Sequence, residues 1–239
     1  MDIGATEHTN PHTGKELIFY YRPDTSDEKV LKEIFKKGCY RKPSIGFDVE
    51  EGETWIDLGG HIGLFALYAV SKGAKQVIVY EADSDNFDIL QKNITLNKLE
   101  NIIIPIYSAV VADDILGEDK TINLWKSKNT KVNYRNSIVE KKRGISTSVP
   151  AIPFNTIIDK NIDGLKIDIE GAEVDILTSN SSKYQNIKKL TFEFTVSSGK
   201  IELAQNTLRE KNFTINIPPS YLKESNWGWI DYVAHAYRQ

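Results

Sequence analysis

The chain has 239 residues, 40% of them hydrophobic and 26% charged, with a formal net charge of -3. That balance gives no basic footprint for nucleic acid and no basic juxtamembrane cluster, and the single cysteine, Cys39, excludes an internal disulfide or a cysteine-rich metal site. No stretch approaches the ~18 consecutive apolar residues of a membrane span, so the expectation is one cytoplasmic domain with neither a membrane nor a nucleic-acid partner.

The opening "MDIGATEHTNPHTGKE" lacks the apolar core of a secretory signal and reads as a flexible lead-in over residues 1–17, with His8 and His12 incidental. A single domain then spans 18–239, beginning with a helical extension over about 18–50. In that extension "LIFYYRP" reads as a short strand. "DTSDEKVLKEIFKKG" follows as a helix capped by Thr25 or Ser26 and closed by Gly38. "TWIDL" is an apolar run ended by glycine, as in a strand buried on both faces. Next come a helix closed by Gly73 ("LFALYAVSKG") and a strand ("QVIVYEA"). "DSDNFDILQKNITLNKL" puts Phe87, Leu90 and Ile94 on one side of a further helix.

"IIIPIYSAVVA" is expected as a third strand, "IDGLKIDIEG" as a fourth and "KLTFEFTV" as a fifth. "IELAQNTLREKN" is the helix after them, and "FTINI" with "DYVAHAY" closes the chain as a strand pair. Strands alternating with helices predict an α/β fold, a mainly parallel sheet with helices on both faces. Residues 113–155 break the alternation, with period-two apolar positions and no helical stripe. They read as an inserted hairpin, a lid that could cover a ligand.

Two stretches carry chemistry. In "WIDLGGHIG", Asp57 precedes a turn holding Gly59, Gly60 and Gly63, and Glu81 ends the next strand. Ligands of open parallel sheets bind at the carboxyl ends of the strands, and a carboxylate there accepts both hydroxyls of a ribose. The turn lacks the Gly-x-Gly-x-x-Gly of a dinucleotide site and the Gly-Lys-Ser/Thr of a phosphate loop. An acid before the turn repels pyrophosphate but suits an ammonium. S-adenosylmethionine has both an ammonium and a ribose. In "LKIDIEGAEVDIL", Lys166, Asp168 and Glu170 alternate with isoleucines, and Glu193 sits on the adjacent strand. Their alternation predicts three charged side chains on one face, either an ion pair or a catalytic cluster.

Together "WIDLGGHIGLFAL", "VIVYEADSDNFDILQKNITLN" and "LKIDIEGAEVDIL" resemble the FkbM-type methyltransferases, which have the class I S-adenosylmethionine-dependent fold. The resemblance covers roughly residues 18–237 and implies a Rossmann-like, seven-stranded sheet with its last strand antiparallel. It implies that Asp57, Gly59 and Gly63, with Gly60, His61 and Phe65 beside them, contact the methionine part of the cofactor. Glu81 would hold the ribose, and Ala82, Asp83, Ser108 and Ala109 would border the adenine.

Such enzymes mostly O-methylate sugars or similar small molecules, so a carbohydrate or other small-molecule acceptor is expected. Asp168 or Glu170 would take the hydroxyl proton. A divalent cation such as magnesium, on Asp168 and Glu193, is the alternative. The acceptor would meet Tyr134, Arg135 and Asn136 of the insertion and Trp229 of the last loop. A homodimer is a further expectation.

Three rivals are weaker. A base-methylating enzyme wants Asn/Asp-Pro-Pro-aromatic after the fourth strand, and "NIPPSY" at 216–221 lies elsewhere. A dinucleotide oxidoreductase wants a Tyr-x-x-x-Lys that the chain lacks at that point. A non-catalytic nucleotide-binding subunit is the third, and the intact set of Asp57, Glu81, Asp168 and Glu170 argues against such decay.

Overall fold

The computed structural model describes residues 3–9, 14–127, 131, 136–139, 144–158, 162–179, 182–195, 200–216 and 231–238. Its framework follows from period-two burial in the short apolar runs. In β3 (Thr54–Leu58), Trp55 packs on one face of the sheet while Ile56 and Leu58 pack on the other. Asp57 shares the Trp55 face. Its register partner Lys166, in β9 (Gly164–Ile167), does the same.

The order along the chain begins with β1 (Gly4–Thr9), β2 (Glu16–Tyr21) and α1 (Asp27–Leu31). β3, α2 (Leu64–Ser71), β4 (Gln76–Glu81), α3 (Ser84–Leu96) and β5 (Ile103–Tyr107) follow. Then come β6 (Ala109–Val111), β7 (Thr121–Ser127), β8 (Gly144–Pro153) and α4 (Phe154–Ile157). The last third holds β9, α5 (Glu173–Thr178), β10 (Lys189–Thr195), α6 (Lys200–Glu210), β11 (Thr214–Asn216) and β12 (Asp231–Tyr237).

The main sheet has seven strands in the order β11-β12-β10-β9-β3-β4-β5. β12 is antiparallel to both its neighbours, and β3, β4, β5, β9 and β10 are mutually parallel. The expected α/β architecture is therefore present, including the reversed last strand. The chain runs from β3 out to β5 and then crosses back to β9, so the order reverses between β3 and β9. In such sheets a crevice opens at that reversal, outside the carboxyl ends of the strands. Pro105 pairs with Val79 on the edge strand β5, where a missing N–H costs no ladder bond on the outer side.

Three sequence expectations are corrected. Residues 4–9 are not a loose lead-in: they pair with β2 from Gly4↔Tyr21 to Thr9↔Glu16, and His8 packs edge-on against Phe35 with ring centroids 4.6 Å apart. Main-chain pairing holds this strand rather than deep burial, so apolar content did not mark it. The apolar run "IIIPIYSAVVA" is two strands, because the chain bends at Ser108. Its N–H donates to the Glu81 carbonyl, and β6 leaves the main sheet to pair with β8. The helix after residue 26 is α-helical only to Leu31; Lys32–Lys37 is a π-helical turn that Gly38 ends at φ 64°. The inserted segment does contain an antiparallel pair, β7 with β8, as its period-two pattern predicts.

Candidate active site

Between β3 and α2 the chain turns at Gly59 and Gly60 before Gly63 opens the helix. Gly59 has φ 81°, and a Cβ there would strike the carbonyl of Asp168; one at Gly60 would strike the Val79 side chain. The turn is therefore pressed against both neighbouring strand ends, with backbone alone facing outward. A cavity of about 830 Å³ opens above it, in the upper part of the ~300–1,000 Å³ range of small-ligand sites.

Of the residues expected at a cofactor, Gly59, Gly60, His61, Phe65, Glu81, Ala82, Ser108 and Ala109 line this cavity. Three others lie behind it. Asp57 is fully buried under the turn, with Oδ1 accepting from Lys166 Nζ at 2.8 Å, while its Oδ2 has no hydrogen-bond partner among the described residues. Gly63 packs against Leu90 of α3. Asp83 caps α3, accepting from the N–H groups of Asp85 and Asn86, and its other oxygen takes Lys126 Nζ and Asn136 Nδ2, each at 2.8 Å. A capping carboxylate paired in this way is spent on structure.

Glu81 lies at the end of β4 and is 7% exposed. Its Oε2 accepts from the His61 N–H at 2.7 Å and its Oε1 from the Asp83 N–H at 2.8 Å. Burial nevertheless pushes its carboxyl up to about 7. His61 has a left-handed backbone, φ 51°, and its Nε2 lies 3.1 Å from Asp27 Oδ1 and 3.2 Å from Arg22 Nη2. Arg22 and Asp27 are themselves buried and bidentate, and Arg22 Nη2 also donates to Asn86 Oδ1 at 2.7 Å. Burial opposes ionisation of Asp27, but its hydrogen bonds to His61 and Arg22 win and hold the carboxyl well below the usual range. The N-terminal extension thus grips the glycine turn from outside.

At the end of β9 the cluster is less regular than strand alternation predicts. The strand stops at Ile167, and Glu170 has φ 58°, so Lys166, Asp168 and Glu170 do not share one face by period. Glu173 fixes this turn, accepting from the N–H groups of Ile169 (2.9 Å) and Gly171 (2.8 Å). Lys166 Nζ is committed to Asp57 and to the Gly59 carbonyl at 3.0 Å, with Asp168 Oδ2 at 3.8 Å. Burial alone would lower Lys166; the carboxylates of Asp57 and Asp168 outweigh it and hold the ammonium charged. Lys166 therefore ties β9 to the glycine turn rather than presenting a free amine.

Asp168 is held from above by Tyr40, whose hydroxyl donates to Oδ2 at 2.5 Å. Tyr40 packs edge-on against Phe65, centroids 5.3 Å apart, and its ring lies 5.3 Å from Lys166 Nζ. Burial first, and then the Asp168 carboxylate, push the Tyr40 phenol well above its ordinary value, so it stays a donor. Asp168, Glu170 and Glu193 all line the cavity beside the turn. Among the described residues no group of three or more His, Cys, Asp or Glu side chains is placed to hold a metal ion.

The insertion borders the cavity through Leu124, Asn136 and Ile138, and Ser137 Oγ donates to the Glu170 carbonyl at 2.5 Å. Asn136, expected at an acceptor, is on the Asp83 side with its amide in use. Tyr134, Arg135 and Trp229 lie outside the described residues. Sequence reasoning missed Tyr40, Arg22 and Asp27. The one signal was a helix-opening Asp27 that turned out fully buried.

Comparison with known proteins follows the same outline. The family model described as "Methyltransferase FkbM domain" matches residues 57–215. "Methyltransferase 1" of Beauveria bassiana is 25% identical over 215 residues, covering 80% of this chain and 82% of that protein. A tRNA (guanine(37)-N(1))-methyltransferase of Methanocaldococcus jannaschii is 34% identical over 93 residues, but these are 39% of this chain and 27% of that one. The crystal structure of methyltransferase FkbM from Methylobacillus flagellatus KT superposes with a TM-score of 0.51 at 19% identity; the match covers 90% of this chain and 48% of that chain.

Proposed function

The chain belongs to the FkbM methyltransferase family, and from that premise we propose that it transfers a methyl group from S-adenosylmethionine to a hydroxyl of a sugar, glycan or similar small molecule. The observation that carries the acceptor reading is Asp168. Tyr40 occupies its Oδ2, and Oδ1 makes no hydrogen bond among the described residues, at the cavity wall beside the glycine turn.

The residues present fit the cofactor. The turn at Gly59 and Gly60 offers backbone without side chains, and the Glu81 carboxylate stands where two ribose hydroxyls can donate to it. Ala82, Ser108 and Ala109 make a small-residue wall for a flat base. When bound, S-adenosylmethionine supplies a methyl group on a sulfonium sulfur.

The chain's own residues then have three tasks. Glu81 and the glycine turn hold the donor in one orientation, which removes translational and rotational freedom before the displacement. Tyr40 and Lys166 fix the Asp168 carboxylate. Asp168 Oδ1 receives the hydroxyl proton as the new C–O bond forms and the carbon–sulfur bond breaks, so the oxygen attacks without carrying its proton.

The test is a tritium-transfer assay with methyl-labelled donor against a panel of sugars, glycosides and polyketide-like alcohols. The expected result is label in at least one hydroxylated acceptor, lost in Asp168→Asn while that variant still binds S-adenosylhomocysteine. Full transfer by Asp168→Asn would remove Asp168 as the base. The partial match to a tRNA methyltransferase favours one second reading, methylation of nucleic acid. The net charge of -3 weighs against it, and label appearing in transfer RNA instead of the panel would establish it.

A further inference from the structure

β12 carries a buried histidine, His235, in the wall of the cavity that holds Asp168. It is 2% exposed, and neither Nδ1 nor Nε2 makes a hydrogen bond among the described residues. Its ring packs edge-on against Phe47, with centroids 4.7 Å apart, which accounts for the ring but not for the nitrogens. A neutral imidazole has one donor and one acceptor. Folded proteins rarely leave such groups unpaired when they are buried, so two of them on a cavity wall point to a ligand.

Strand register places this histidine relative to the proton acceptor. Asp57 pairs with Lys166, Lys166 with Thr191 and Thr191 with His235, so the four form one row across β3, β9, β10 and β12. Residues opposite each other in a sheet project from the same face. Two strand spacings, ~10 Å, therefore separate His235 from Lys166 along that face. Lys166 Nζ in turn lies 3.8 Å from Asp168 Oδ2. The segment Cys39–Tyr40 joins the two ends: the Tyr40 hydroxyl donates to Asp168, and the backbone of both residues lies beside His235. One ring-shaped polyol fills such a span, with a hydrogen bond of ~2.8 Å at either end.

The chemistry of the wall suits an uncharged group. Burial first, then the charge of Lys42, hold the His235 imidazole down to about 4, against a smaller opposing pull from the backbone of Tyr40 and Cys39. It is neutral at ordinary pH and too weak a base to compete for a hydroxyl proton. One N–H and one lone pair instead match a hydroxyl, which both donates and accepts. Among the described residues the cavity lining carries carboxylates and cations in equal number, so net charge selects neither an anionic nor a cationic acceptor.

We infer that His235 is an acceptor-recognition residue, binding a second, non-reacting hydroxyl of a single-ring polyol whose reacting hydroxyl sits at Asp168. The inference rests on the methyl-transfer reading and deepens it, from any hydroxylated acceptor to one with hydroxyls set across a ring. A monohydric alcohol leaves the His235 nitrogens unpaired and forgoes that contact.

The test uses the full chain, isotope-labelled at histidine and saturated with S-adenosylhomocysteine, titrated by NMR with methyl glucoside, methyl galactoside, inositol and cyclohexanol. At least one polyol is expected to bind about fivefold or more tighter than cyclohexanol. It should also move the ring-nitrogen resonances of His235, which report hydrogen bonding to the imidazole directly. His235→Phe keeps a ring against Phe47 and removes both nitrogens. That variant should bind the polyol about fivefold or more weakly, with cyclohexanol and S-adenosylhomocysteine affinities within about twofold of the unaltered chain.

Cyclohexanol binding as tightly as every polyol, or no polyol binding, overturns the inference alone. So does polyol binding that leaves the His235 nitrogens unmoved or that His235→Phe does not weaken; trapped water then meets those nitrogens. The ring resonances of the unaltered chain decide the matter if the variant does not fold. Absence of S-adenosylhomocysteine binding overturns the methyl-transfer reading, and this inference with it.

Discussion

In the proposed donor site, one buried carboxylate, Glu81, makes cofactor binding sensitive to pH. Its carboxyl is pushed up to about 7, and only the ionised form accepts from both ribose hydroxyls. The charged form dominates above that value and is lost as pH falls through it. S-adenosylhomocysteine should therefore bind about tenfold more weakly at about pH 6 than at about pH 8. Calorimetry at the two pH values checks this, and Glu81→Gln should bind weakly at both.

Tyr40→Phe keeps the ring against Phe65 and removes only the hydroxyl. Donor affinity should stay within about twofold while methyl transfer falls by about tenfold or more, the size of a lost positioning contact on a general base. Asp57, Glu81 and Asp168 were legible in the sequence because each ends an apolar strand before glycine or a helix cap. Tyr40 was not, because its partner lies 128 residues away and only the tertiary fold brings them together.

At the scale of elements, caps and a buried pair hold the site's borders. Asp83→Ala removes the α3 cap and leaves Lys126 and Asn136 without their shared carboxylate. It should cost about 1–2 kcal/mol in urea denaturation, with most of the loss in the cap. Asp27→Ala removes the carboxylate that pairs bidentately with the buried Arg22 guanidinium. About 3–5 kcal/mol is expected there, together with weakened donor binding through the loosened glycine turn.

The elements with strong periodicity or clear punctuation, such as β3, α2, β4 and α3, were readable from residues. β1 was not, since its residues alternate only between half-buried and exposed and its stability comes from pairing with β2. The bend at Ser108 was hidden inside a continuous apolar run, because apolar residues serve both the main sheet and the one that β6 joins.

Over the whole molecule, the alternation of strands and helices predicts a parallel sheet, and its order reverses between β3 and β9, where sheets of this kind open a ligand crevice. The glycine turn, Glu81 and the β9 turn come to that one crevice from three separate crossovers. The N-terminal extension then adds Tyr40, Arg22 and Asp27. The reversed last strand came from resemblance and not from periodicity, which does not distinguish strand direction. The N-terminal extension, which sequence reading treated as an appendage, lines the cavity from Lys29 to Lys42.

The measurement that tests the central claim most directly is calorimetric titration of the chain with S-adenosylhomocysteine, with NAD as the control ligand and Glu81→Gln as the control protein. The account expects micromolar binding of S-adenosylhomocysteine, about tenfold or more weaker in the variant, and no heat from NAD. No binding, or tighter binding of NAD, would contradict it.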